Sequence, residues 1–188
     1  MADANLSGLD WFKKNQSKYP NSDDVSDLSG SFKSGVTSFL KALKDAGATV
    51  SISSTLRDPT RAFVMHYAWL LAKGQIKAAK IPKRSGLNIE WDHGDEKESQ
   101  VAAQEMIGSS GFKMKEMAVL DSNHLYGLAI DMDISCSGTL KIKNAKGDEV
   151  EITSTPTNGG NKDLHAVGES YGVKKLVSDP PHWSTDGR

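Results

Sequence analysis

The sequence predicts an α+β fold: one domain, with a small, mostly antiparallel sheet and helices packed on it. Three observations carry that prediction. The chain has 188 residues, the length of a single domain. Apolar residues recur at helical spacing in some segments and alternate with polar ones in others. The two kinds of segment do not alternate regularly, as the strand–helix–strand units of a parallel sheet would require.

In chain order, residues 1–30 are rich in Ser, Asp and Asn, with Leu9, Trp11 and Phe12 as their few apolar anchors. They are expected to wrap the surface ahead of a domain spanning residues 31–188. Phe32, Val36, Phe39, Leu40 and Leu43 mark a helix that Gly47 stops. Val50 and Ile52 alternate with polar neighbours in a strand that ends near Ser54. Asp58-Pro59 opens a second helix as cap and first helical residue. Thr60 to Lys73 is apolar almost all round, as in a buried helix.

A loop with Pro82 and Gly86 follows, and an amphipathic helix is predicted from Glu96 to Ile107, closed by Gly108 and Gly111. The clearest strand is Leu128 to Ile134: Leu128, Ile130, Met132 and Ile134 face one side, Ala129, Asp131 and Asp133 the other. Leu140/Ile142 and Val150/Ile152 flank residues 144–148 as a hairpin. A short helix at Asp163 to Tyr171 and a strand at Val173 to Val177 complete the expected fold.

Composition excludes several classes of function. Lys and Arg number 23 against 24 Asp and Glu, so no basic field exists to hold a phosphate backbone and no nucleic-acid partner is expected. Cys136 is the sole cysteine, which rules out an intramolecular disulfide and a cysteine-rich zinc knuckle. Met1 to Lys14 has neither the basic run nor the apolar core of a signal peptide, and no apolar run is long enough to insert in a membrane. The expectation is a chain made in the cytoplasm without a leader. If it acts outside, another machine must deliver it.

Two short segments gather the polar residues that could do chemistry. In residues 122–131 (SNHLYGLAID), His124 precedes Gly127, which lets the chain turn into the strand, and Asp131 lies on that strand's polar face beside the small Ala129. In residues 178–184 (SDPPHWS), Asp179 and His182 are separated by two prolines that stiffen the backbone. Two histidines and one carboxylate make a catalytic zinc set, with the fourth position left for water. His124, Asp131 and His182 fill the ligand roles, and Asp179 remains as a base for the water proton.

The pattern Ser-x-His-x-x-Gly-x-Ala-x-Asp, present at Ser122, His124, Gly127, Ala129 and Asp131, resembles the signature of the zinc D-Ala-D-Ala carboxypeptidase family. That family includes the L-alanyl-D-glutamate endopeptidases of phage endolysins. Its second signature, an acidic residue three before a histidine, is similar to Asp179 and His182. The motifs occupy three short stretches within roughly residues 32–184.

The resemblance implies a hedgehog/D-Ala-D-Ala-peptidase-like fold and one zinc ion per chain. His124, Asp131 and His182 would be its ligands and Asp179 the general base. Arg57, after an early strand, would stabilise the oxyanion, and Ser122 would contact substrate. The implied substrate is the peptidoglycan stem peptide, cut by a monomer acting on the cell wall. Delivery would be through a phage lysis pore, on a phage tail or on a secretion spike. Asp rather than Glu at position 179 favours the endopeptidase branch over a D-Ala-D-Ala carboxypeptidase. The alternative of another class is a non-catalytic zinc-bearing wall-binding module.

The other candidates are expected to be structural. Asp133 is read as solvated or supporting, His66 as a hydrogen-bonded core histidine, and Asp92-His93 as a polar loop. His165 is read as an exposed helix residue, Trp183 as packing behind the site, and Cys136 as a small hydrophobe.

Overall fold

The structure, a computed structural model, describes residues 5–188. Its elements in chain order are α1 (Leu9–Asn15), α2 (Gly30–Asp45), β1 (Thr49–Ser54), α3 (Pro59–Ala72), α4 (Glu96–Ile107), β2 (Ala129–Ser135), β3 (Leu140–Lys143), β4 (Glu149–Ile152), α5 (Lys162–Ser170), β5 (Lys174–Lys175) and β6 (His182–Ser184). Every strand pairing among them is antiparallel, and the class is α+β as predicted. Among the described residues no helix is long and apolar enough to cross a membrane.

Helix starts are written in the sequence. The Asp58 carboxylate accepts the N–H groups of Thr60 and Arg61 at 2.7 and 3.1 Å, with Pro59 in the first turn. Asp95 does the same for Lys97 and Glu98, and Asn161 for Asp163 and Leu164. Each cap satisfies donors that the helix itself cannot.

The chain groups into two compact units, one formed by the described part of Met1–Pro20 with Asp58–Asp121, the other by Asn21–Arg57 with Ser122–Arg188. This grouping differs from the expected break at residue 30. Residues 1–4 of that segment lie outside the described residues. The remainder does not simply wrap the surface: α1 buries Trp11 and Phe12, both 4% exposed, and the Trp11 indole N–H donates to the Asn88 carbonyl at 2.8 Å. Burial of these two large aromatic side chains offsets part of the cost of ordering the short helix. In the same unit, α3 keeps every residue from Thr60 to Ala72 at least half-buried apart from water, and Phe63, Val64 and Leu71 pack with Met106 of α4.

In the second unit the sheet order is β1-β2-β6-β5. One face is apolar: Ile130, Met132 and Ile134 of β2 and Trp183 of β6 pack against Phe32, Val36, Phe39 and Leu43 of α2 and Leu164 and Val167 of α5. The β3–β4 hairpin adds Leu140, Ile142 and Ile152 to this core. The period-two alternation of a strand then sends Asp131, His182 and Ser184 to the opposite face.

Two strands depart from expectation. The strand foreseen at 173–177 is only two residues long, because the Lys175 side chain folds onto the following loop and the backbone turns away. Residues 182–184, expected as a stiff post-strand segment, form the buried strand β6, which inserts between β2 and β5.

Gly168 of α5 shows how tightly the core beneath the sheet is filled. A Cβ built there would lie 2.8 Å from the Trp183 ring and 2.9 Å from the Val173 carbonyl. Helix propensity alone makes Gly168→Ala stabilising by about 1 kcal/mol. Overpacking opposes that gain and is expected to win, so the variant should lose about 1–3 kcal/mol in urea unfolding. A variant more stable than the parent would show that α5 is free to shift.

Candidate metal centre

The site begins with a register. In the β2–β6 pair, Asp131 and His182 are directly opposed, so their side chains stand together on the polar face. His124 arrives from the 3₁₀ turn Asn123–Tyr126, whose N-terminal cap is Ser122: the hydroxyl accepts the His124 N–H at 3.4 Å. The turn is closed by Gly127 at φ 67°, a left-handed conformation costly for other residues. A Cβ on Gly127 would also lie 2.8 Å from the Asp27 carbonyl oxygen. Gly127 therefore swings the chain from the turn into β2, as the sequence suggests. Ala129, expected to leave space on the polar face, is fully buried beside Ser184.

Three side-chain atoms converge. His124 Nε2 lies 3.1 Å from Asp131 Oδ1, His182 Nδ1 lies 3.0 Å from the same oxygen, and the two nitrogens are 3.3 Å apart. Both imidazoles are buried, at 2% and 6% exposure, and the rings stand at 76° to each other.

The far nitrogen of each ring fixes its tautomer. His124 Nδ1 faces the Thr55 carbonyl at 2.9 Å, and His182 Nε2 faces the main-chain oxygen of Arg188 at 3.2 Å. A carbonyl oxygen only accepts, so a neutral ring that keeps this hydrogen bond carries its proton on the far nitrogen. In the neutral rings, His124 Nε2 and His182 Nδ1 then present bare lone pairs to one another and to a carboxylate. Such a set needs a cation.

A metal ion fits the requirement. The donors are the His₂-carboxylate type of catalytic zinc, and tetrahedral bonds of about 2.0–2.1 Å place ligand atoms about 3.3 Å apart, close to the separations seen. Among the described residues, His124, Asp131 and His182 form the group able to hold a metal ion. Without a metal, protons take its place. Burial alone would raise the Asp131 pKa, but hydrogen bonds and charge from the two histidines together outweigh it and hold the carboxyl well below the usual range. Burial likewise opposes a charge on His182, yet its contacts with Asp131, helped by Arg188 and Asp179, push its pKa above 6.5.

Arg57 is drawn to the same place. Its Nη2 lies 3.9 Å from Asp131 Oδ2, its Nε donates to Asn21 Oδ1 at 3.0 Å, and its own N–H donates to the His124 carbonyl at 3.0 Å. Burial lowers its pKa, against the opposing charges of Asp131 and Asp179. Asp179 is half-buried and acts through its charge on Arg57, Lys175 and His182. The site residues thus fall in one unit, with Ser122 as the cap beneath His124.

The remaining candidates behave as follows. His66 Nδ1 donates to the Ala118 carbonyl at 2.8 Å, and Asp92 and His93 form a turn in which His93 meets the Ser7 hydroxyl at 3.0 Å. Asp133 is exposed on β2, and Cys136 is partly buried against the core. Trp183 is fully buried behind the site. His165 is a correction: it is not exposed, because its ring stands edge-on to Trp183 at 5.5 Å and its Nε2 donates to the Gly159 carbonyl.

Compared with known proteins, the chain matches no protein-family model, and no curated relative aligns with it significantly.

Sequence reasoning missed Lys175. Its ammonium donates to the carbonyls of Leu176, Asp179 and His182 at 2.6, 2.5 and 3.0 Å and lies 5.5 Å from the Trp183 ring centroid. One cation thereby gathers both ends of the loop carrying Asp179 and His182. Burial lowers its pKa, against the charges of Asp179 and Asp131. Only its place three residues before a loop of Ser, Asp and Pro hints at this. Lys175→Met leaves three carbonyls without this donor and should cost about 1–3 kcal/mol in urea unfolding. A change within experimental error would mean that the loop holds its shape unaided.

Proposed function

We propose that this chain is a zinc-dependent peptidoglycan hydrolase that cleaves a peptide bond of the stem peptide, of the L-alanyl-D-glutamate endopeptidase type. The observation that carries the reading is the convergence of three ligand atoms from the residues of the two sequence signatures, with the far nitrogen of each imidazole facing a main-chain oxygen. Asp179 and Arg57, two of the three further residues that the resemblance singles out, stand in the electrostatic field of the same cluster.

A zinc ion supplies Lewis acidity there, polarising the scissile carbonyl and bringing the pKa of a water to about 7. His124, Asp131 and His182 would hold it. Asp179, outside the ligand set, takes the proton of the attacking water and returns it to the leaving amine. Arg57, fixed by Asn21 and Asp131, offers its guanidinium to the oxyanion. The substrate is reached at the cell wall by release or delivery, and the chain acts as a monomer.

Purified protein should contain about one zinc per chain by mass spectrometry and lose most of it in His182→Ala. Asp179→Ala should keep the zinc and lose at least about 100-fold in hydrolysis of muropeptides, read by mass spectrometry. Internal cuts support the endopeptidase, and loss of terminal D-Ala alone would make it a carboxypeptidase. Zinc without any cleavage would make it a binding module. A metal-free parent that resists zinc loading would sink the reading.

Zinc affinity should also depend on pH with a defined sign. The bound state requires neutral His182, whose pKa in the metal-free protein is raised above 6.5, whereas Asp131 is already ionised well below the usual carboxylate range. Affinity is therefore expected to be at its plateau well above pH 6.5 and to fall as pH drops through the raised His182 value. Chelator competition between pH 5 and 9 measures this, and a flat profile would contradict it.

A further inference from the structure

The cations and anions of the chain balance overall, but they are not evenly mixed. No acidic residue stands between Asp58 and Glu90, whereas Arg61, Lys73, Lys77, Lys80, Lys83 and Arg84 all fall in that interval. The interval belongs to the first unit. Lys73, Lys77, Lys80 and Lys83 are exposed, and among the described residues none of the four makes an ion pair.

The fold strings these four lysines along α3. Lys73 follows the last residue of that helix, with its ammonium 4.9 Å from the Trp69 ring centroid. At the other end Arg84 Nε donates to Thr60 Oγ1 at 3.3 Å, and its guanidinium lies 5.4 Å from the Phe63 ring centroid. The segment between them therefore runs back beside α3, a 14-residue helix roughly 21 Å long. Midway it forms the 3₁₀ turn Ala78–Lys80. Three residues per turn place Lys77 over Lys80, while Ala78 and Ile81 share the side that packs into the apolar cluster. A carboxylate does reach this segment, but on its backbone: Glu96 Oε1 accepts the Ala78 N–H at 3.3 Å.

A row of like charges favours a counter-charge laid along the same line. Candidate polyanions differ in what else they require. A single-stranded nucleic acid stacks its bases on aromatic faces. Here Trp69 and Phe63 lie against Lys73 and Arg84, and no aromatic side chain among the described residues of this unit is exposed. A bilayer takes up apolar anchors, but the exposed residues between the lysines are Gly74, Gln75, Ala79 and Pro82. A phosphodiester chain without bases or acyl tails requires only the cations. We propose that Lys73, Lys77, Lys80 and Lys83 form a docking strip for such a chain, a thin linear polymer of the poly(alditol phosphate) kind. None of these residues belongs to the metal cluster, so the inference stands apart from the metal reading.

The probe is fluorescently labelled poly(glycerol phosphate), and anisotropy reads its binding to the whole chain over a range of salt concentrations. Four lysine–phosphate contacts should make log affinity fall against log salt with a slope of about −3. A variant combining Lys77→Glu, Lys80→Glu and Lys83→Glu should bind at least about 10-fold more weakly, with a flatter slope and an unchanged circular dichroism spectrum. A control combining Lys44→Glu, Lys146→Glu and Lys162→Glu changes the net charge equally at exposed sites of the second unit, and should bind like the parent. Equal losses in the two variants would reduce the effect to net charge and overturn the inference. So would a parent that does not bind, or whose binding is insensitive to salt. Tighter binding to a single-stranded oligonucleotide or to phosphatidylglycerol vesicles than to the polymer would overturn it as well. The assay involves neither zinc nor hydrolysis, so its failure leaves the metal reading untouched.

Discussion

Lone pairs that point at each other inside a protein repel unless a positive charge lies between them. In this chain, two imidazole nitrogens and a carboxylate oxygen converge within 3.3 Å, while the far nitrogen of each ring faces a main-chain oxygen. The rest of the second unit is arranged around that constraint. Thr55, just beyond β1, supplies the acceptor for one ring, and the tail beyond β6 supplies the acceptor for the other. The outer acceptors orient the two rings so that their near nitrogens face the Asp131 carboxylate.

Holding such a cluster demands a stiff support, because buried polar groups are worth little when their geometry drifts. The sheet provides it. β2 and β6 are neighbours, and their register sets two ligands side by side without any loop between them. Their alternate residues, Ile130 and Trp183, anchor the same strands in the apolar core beneath. The third ligand sits on a single turn pinned at Gly127, whose own carbonyl accepts from the Ser29 N–H at 2.9 Å.

Local signals were readable in the sequence, and long-range ones were not. The helix caps Asp58 and Asp95, the turn glycine, the alternation in β2 and the hairpin at residues 144–148 each depend on neighbours a few residues away. That His124, Asp131 and His182 converge was readable too, through two spaced motifs. β6 was missed because a three-residue strand after two prolines has no period to detect, and it is defined by pairing with β2, more than 50 positions earlier, and with β5. Lys175 looks like a surface residue in a Lys-Lys pair, and its three carbonyl partners exist only once the loop has closed. Trp11 and Phe12 were visible as anchors, but a short polar-flanked helix gives no hint of the cluster that receives it.

The two carboxylates nearest the cluster show how one small site can divide its labour. Asp131 is fixed between two imidazoles, so its lone pairs are committed and its charge is stabilised against protonation. A group so held is suited to ligation and unsuited to shuttling a proton, since every transfer would break two hydrogen bonds. Asp179 stands apart on a loop whose backbone, rather than its carboxylate, is gripped by Lys175. Its charge reaches His182 and Arg57, while its carboxylate is not part of the ligand triangle. Asp131 thus belongs to the group of side chains that could hold an ion, and Asp179 lies outside it and acts on the same cluster through its charge alone.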